Sequence, residues 1–155
     1  MWELLKTSLM IVWLSEACLY ANPALVEITP QETEIVELTN QERQKAGLNP
    51  LVINAQLMKV ARDQSALMVQ ERKLDHTVNG RTLTLRINEV AYPYCNIGEN
   101  IAQATYSAKQ VVKMWMKSQG HRMNILDAHF KEIGVGMSIA PNGDKYYTQV
   151  FGAQM

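Results

Sequence analysis

The chain has 155 residues, 47% of them hydrophobic and 19% charged, which is material for one globular domain around a single core. Its formal net charge is zero, so neither a basic nucleic-acid surface nor an acidic solvating tail organises it. It contains no internal repeat and no low-complexity tract.

The first stretch is not domain-like. Lys6 precedes a short apolar run, Leu9-Met10-Ile11-Val12-Trp13-Leu14, in the pattern of a secretory leader. The run falls short of the ~20 apolar residues that a spanning helix needs, so no transmembrane helix is expected in the mature chain. Residues 1–21 are read as the leader, with cleavage after Ala17 or Ala21, and the protein is expected in the cell envelope or outside the cell. A second reading takes Ser15-Glu16-Ala17-Cys18 as a lipoprotein site with Cys18 as the anchor. With Cys18 in the leader, the mature domain keeps only Cys95, so it has no internal disulfide and must rely on its core. Between Tyr94 and Asn96, Cys95 reads as a small core or loop residue rather than a nucleophile.

Residues 22–32 read as an irregular lead-in and a helix start, and residues 33–155 as the domain. Thr29-Pro30-Gln31-Glu32 combines a capping threonine, a first-turn proline and a capping-box carboxylate. Ile35 and Leu38 mark the buried side of the helix, and Gly47 ends it before Asn49-Pro50. A second helix is predicted from Asn54 to about Arg72, with Leu57, Val60, Ala61 and Met68 at helical spacing. Arg81 to Val90 reads either as a short helix or, from the alternation of Leu83, Leu85 and Ile87, as a strand. Gly98-Glu99-Asn100-Ile101-Ala102 reads as a tight turn into a buried strand. Ser107 and Gln110 open a third helix as a capping box, with Val111, Val112, Met114 and Trp115 as its apolar face and Gly120 as its end. Met114, Met116 and Met123 read as packing, and His129 as surface. Ile133–Ala140 and Lys145–Phe151 form a hairpin around Pro141-Asn142-Gly143-Asp144. Helices first and a hairpin last predict an α+β fold, with helices packed on an antiparallel sheet.

The residues that carry chemistry are His76, just past a helix end, Glu99 and His121, and the expectation is that they meet in one cleft. Two neutral imidazoles can bind zinc or a similar divalent ion in an open site. Glu99 would then either ligate or accept the second ring N–H and fix a tautomer. The same three groups could act as general acid and base in a hydrolysis, although no serine or cysteine stands in a nucleophile motif. The bland alternative is a polar network that braces the fold. Arg122 and Asn124 are read as structural, their donors tying loop carbonyls together.

A family resemblance is carried by several stretches in order. They are Leu38-Thr39-Asn40-Gln41-Glu42-Arg43 with Gly47-Leu48-Asn49-Pro50-Leu51, Leu74-Asp75-His76, Gly98-Glu99-Asn100-Ile101-Ala102, Trp115 to Leu126 through Gly120-His121-Arg122-Met123-Asn124, and Ile133-Gly134-Val135-Gly136. From about Ile35 to Gln154 the chain resembles the CAP or SCP domain of cysteine-rich secretory proteins, antigen 5 and pathogenesis-related 1 proteins, in its short bacterial, disulfide-free branch. The resemblance implies an α-β-α sandwich whose central cleft is lined by His76, Glu99 and His121. It also implies a structural part for Asn100 within its motif. Many relatives place a second glutamate where this chain has Ser118, so Ser118 joins the cleft and a four-residue metal site is incomplete. The function implied is an exported, monomeric binding module. Its cleft is expected to hold a divalent cation, zinc first, on His76 and His121, together with a small envelope, lipid or peptide ligand and no nucleic acid. A peptidase- or esterase-like hydrolase and a purely structural or interaction domain are the alternatives.

Overall fold

The computed structural model describes residues 27–155, so the leader, the anchor reading of Cys18 and most of the lead-in lie outside the described residues. The first helix, α1 (Pro30–Lys45), starts as its sequence demands. The Thr29 side chain accepts from the Glu32 backbone, and the Glu32 carboxylate accepts from the Thr29 backbone. Gly47, at φ +73°, takes the left-handed position that ends it. Strand β1 (Val52–Ile53) follows, then α2 (Ala55–Glu71), capped by the Asn54 side chain. The ambiguous Arg81–Val90 segment contains a helix, α3 (Leu83–Glu89).

Two boundaries, and the exposure of one cysteine, differ from the sequence expectation. Gly98 to Ala102 is no turn but the middle of a long strand, β2 (Tyr94–Ala104). Glycine is needed at position 98 because a Cβ there would meet the Phe130 ring at 2.8 Å. Gly120 does not end the third helix: α4 (Ala108–Lys117) stops one residue before Ser118, and a short helix, α5 (Gln119–Ile125), carries Gly120 and His121. Cys95 is exposed, at the bulge where the β2 register shifts between Tyr94 and Asn96.

Strands β3 (Glu132–Ile139) and β4 (Lys145–Gln154) complete a four-stranded sheet in the order β1-β3-β4-β2. It is antiparallel except where the two residues of β1 run parallel to β3. Its faces are set by the period of two along each strand. Gly134 and Gly136 face α2, and so closely that a Cβ would lie 2.0 Å and 2.4 Å from helix backbone atoms. Val150, opposite Gly134, packs on that face with Leu57, Val60 and Ile87. Ile133, Val135, Tyr147 and Phe151 point the other way, into the main core with Ile35 of α1 and Trp115 of α4. The result is α2 and α3 on one face and α1, α4 and α5 on the other. Strand β2 lies at a free edge of the sheet.

Candidate functional site

Glu99 and Asn100 are neighbours on β2, so their side chains leave opposite faces of the sheet. Glu99 pairs in register with Val150 and points toward the α2–α3 layer; Asn100 pairs with Gln149 and points toward α1 and α5. The carboxylate of Glu99 is fully engaged. His76 Nδ1 lies 2.8 Å from Oε1, and Arg86 Nη1 donates to Oε2 at 2.7 Å. Arg86 Nη2 also donates to the His76 carbonyl at 3.1 Å. Glu99 and Arg86 are both buried, so this is a paired internal charge, as a buried carboxylate requires. The His76 side chain remains 56% exposed, and Nδ1 is the ring nitrogen taken up by Glu99.

The opposite side of β2 is built from amides. Asn100 Nδ2 donates to the His121 carbonyl at 3.1 Å and to Gln149 Oε1 at 3.2 Å. Gln149 in turn donates to Thr39 Oγ1 on α1 at 2.6 Å. Asn124 Nδ2 donates to the Glu99 carbonyl at 3.1 Å and to Asn100 Oδ1 at 2.8 Å. Together with Trp115 Nε1, which donates to the Ile101 carbonyl at 3.2 Å, Asn124 occupies outward-facing carbonyls of the edge strand. The Gly98–Ala102 and Trp115–Leu126 motifs are therefore hydrogen-bonded to one another in both directions.

His121 is thus held by its backbone, and its half-buried imidazole has no hydrogen-bond partner among the described residues. The two histidines are driven apart in proton affinity. The hydrogen bond to Glu99 raises His76 above its ordinary value, against the opposing effect of burial. Burial lowers His121, and the nearby charge of His76 lowers it further. His121 is therefore neutral where His76 still carries a proton.

The structure brings His76 and Glu99 together directly, but Glu99 spends its second oxygen on Arg86 and not on His121. Arg86 was not singled out in the sequence. Its signal there is a charge embedded between Leu85 and Ile87 in an apolar run, where only pairing permits burial. Ser118 lies at the α4–α5 junction and makes no side-chain cap bond to α5. Neither imidazole is hydrogen-bonded to a serine or cysteine among the described residues. Asn124 ties a strand carbonyl, whereas the Arg122 side chain is exposed and takes no such part. The arginine that ties loop carbonyls is Arg43, which is buried and donates to the carbonyls of Asn49, Ile125, Asp127 and Phe130. Among the described residues no three His, Cys, Asp or Glu side chains converge as a metal-binding group.

A profile of the cysteine-rich secretory protein family (CAP) matches residues 36–151. Among curated proteins the chain is 42% identical over 111 residues to the uncharacterized protein YkwD of Bacillus subtilis, an alignment spanning 70% of this chain and 43% of that protein. The chain thus corresponds to under half of that relative's length. Among solved structures, an outer surface protein of Borrelia burgdorferi superposes with a TM-score of 0.76 at 23% identity, covering 83% of this chain and 97% of that one. An extracellular SCP-domain protein of Bacillus anthracis gives a TM-score of 0.73 at 28% identity, covering 83% and 45%. A more distant fold neighbour, NaASP2, was solved with Zn2+; its TM-score is 0.61 at 12% identity, covering 81% and 80%.

Proposed function

The chain belongs to the cysteine-rich secretory protein (CAP) family, and from that premise we propose that it is an exported binding module whose cleft at the free edge of β2 takes a divalent cation on His76 and His121. The observation that carries this reading is the state of Glu99. With both carboxylate oxygens committed to His76 Nδ1 and Arg86, it is an orienting group rather than a ligand, and Nε2 is the ring nitrogen it leaves to His76 for a cation. His121, neutral and without a protein partner among the described residues, supplies the second nitrogen. Two imidazoles make an open, exchangeable site whose remaining positions belong to solvent or to a bound ligand. Zinc in such a site supplies a Lewis acid that polarises an oxygen donor of the ligand. The chain's own residues set the orientation of the pair and hold the site at the mouth of the fold, where an envelope, lipid or peptide ligand has access. The distant neighbour solved with zinc supports the choice of metal, and the extracellular and outer-surface neighbours support export.

Calorimetric titration of zinc into the chain tests the reading. Saturation near about one ion per chain is expected, abolished in His76→Ala/His121→Ala and weakened ~10- to 100-fold in Glu99→Gln. Affinity rises with pH as His76 gives up its competing proton. Absence of saturable uptake, with the double variant less stable than the parent, would assign the histidines to bracing the fold.

A further inference from the structure

The methionines that the sequence places in the core are not all there. Met116 is half-buried and packs against the main core, but Met123 is 65% exposed, and both line a groove of about 640 Å³ with Lys117 and Arg122. Met116 and Lys117 also line a second groove, of about 400 Å³, which adds Lys109 and Lys113. The two grooves are therefore one surface turning around the C-terminal end of α4. On it Lys109, Lys113 and Lys117 recur at every fourth residue, so like charges stack along one helix stripe at a cost to the helix. Among the described residues none of these three lysines, nor Arg122, is in a salt bridge. The carboxylates bordering the surface are already engaged, Glu42 by Lys45 and Asp127 by His129. In a chain with zero net charge, that is a face on which cations outnumber the two engaged carboxylates that line it, laid beside the exposed Met123 thioether.

We infer that this α4–α5 surface docks on an anionic lipid bilayer. The charge complement is a plane of phosphate headgroups, which long lysine stems reach while their methylenes stay in the interface. Met123 fits the acyl boundary, and its unbranched, polarizable side chain adapts to it. A soluble polyanion would use the lysines and leave the Met123 thioether in water. A single-stranded nucleic acid would want stacking aromatics, and the lining of neither groove includes one. The surface turns around the end of α4 to Asn124, which also holds the cleft strand, so docking sets the orientation of the cleft relative to the membrane.

Vesicle co-sedimentation of the full chain decides the matter, with neutral phosphatidylcholine vesicles set against vesicles carrying about one-third phosphatidylglycerol. Preferential binding to the anionic vesicles is expected, weakening steeply as salt is added. Lys113→Gln/Lys117→Gln should bind about 30-fold more weakly, from the usual contribution of each basic residue near such a surface. The same variant should take up zinc like the parent, so a failure here is separable from a failure of the cation site. Equal binding to both vesicle types, insensitivity to salt, or undiminished binding by the double variant would each overturn the inference.

Discussion

Glu99 is a buried carboxylate with two obligations, and the protonation of the cleft follows from how it meets them. Arg86 neutralises one oxygen from inside, and His76 takes the other from outside. The bond to Glu99 favours protonated His76 in the fold, so its contribution to stability is complete below the unfolded value near 6.5 and is lost as the pH rises through the higher folded value. His121 has the opposite sign: its folded value lies below 6.5, so folding disfavours its protonation and stability is lost as the pH falls below that point. Two separate histidine titrations are therefore expected by nuclear magnetic resonance, His76 above 6.5 and His121 below it. Glu99→Gln should bring His76 down, at a cost in stability because it leaves the buried Arg86 guanidinium without its carboxylate. A common midpoint for both histidines in the parent would contradict the geometry. The sequence made the meeting of His76 and Glu99 legible, because each sits in a compact motif. It did not reveal Arg86, whose partners are 10 and 13 residues away and meet it only once α3 has packed on β2.

At the scale of elements, β2 poses the problem of any edge strand: its outward carbonyls need partners that are not another chain. Asn124 and Trp115 supply them from the opposite helical layer, at Glu99 and Ile101. Asn124→Ala deprives two buried acceptors at once and is expected to cost ~1–3 kcal/mol in urea unfolding. Trp115→Phe keeps most of the buried ring, loses one bond, and should cost about 1 kcal/mol for the bond plus the loss of indole contact area. Since both substitutions loosen the same strand, their effects should not add. Strict additivity would mean that the two caps act on independent structures. Helix starts were legible in the sequence because caps are local: Thr29 with Glu32 and Ser107 with Gln110 form as their spacing dictates. The α4–α5 break was not, because Gly120 is a poor guide when a helix resumes immediately after Ser118. Strand β1 was invisible for a different reason, since two residues carry no period and pair only through the distant β3.

At the scale of the whole molecule, the question is what joins the layer that begins the chain to the hairpin that ends it. The main core does so without direction, through Ile35, Trp115, Ile133 and Phe151. Arg43 does so with direction. It reaches from the last turn of α1 across more than eighty residues of sequence to the carbonyls of Ile125, Asp127 and Phe130, while its Nε holds Asn49. Burial presses its proton affinity down, and the Asp127 carboxylate works against that, so the guanidinium stays charged and its donors stay committed. The sequence pointed to Arg122 for this work because Arg122 stands inside the most distinctive motif; the residue that does it is a helix-end arginine whose acceptors are all backbone. Arg43→Met preserves much of the buried volume and removes every donor, so it orphans carbonyls at a cost of ~1–3 kcal/mol each where water cannot replace the bond. A total loss of about 3 kcal/mol or more is expected from denaturant unfolding. Arg43→Lys should recover only part of it, because an ammonium cannot span four acceptors held in a planar fork. If Arg43→Met unfolded within about 0.5 kcal/mol of the parent, the usual range for an inconsequential surface change, the connection between α5 and β3 would have to be held by the apolar core alone.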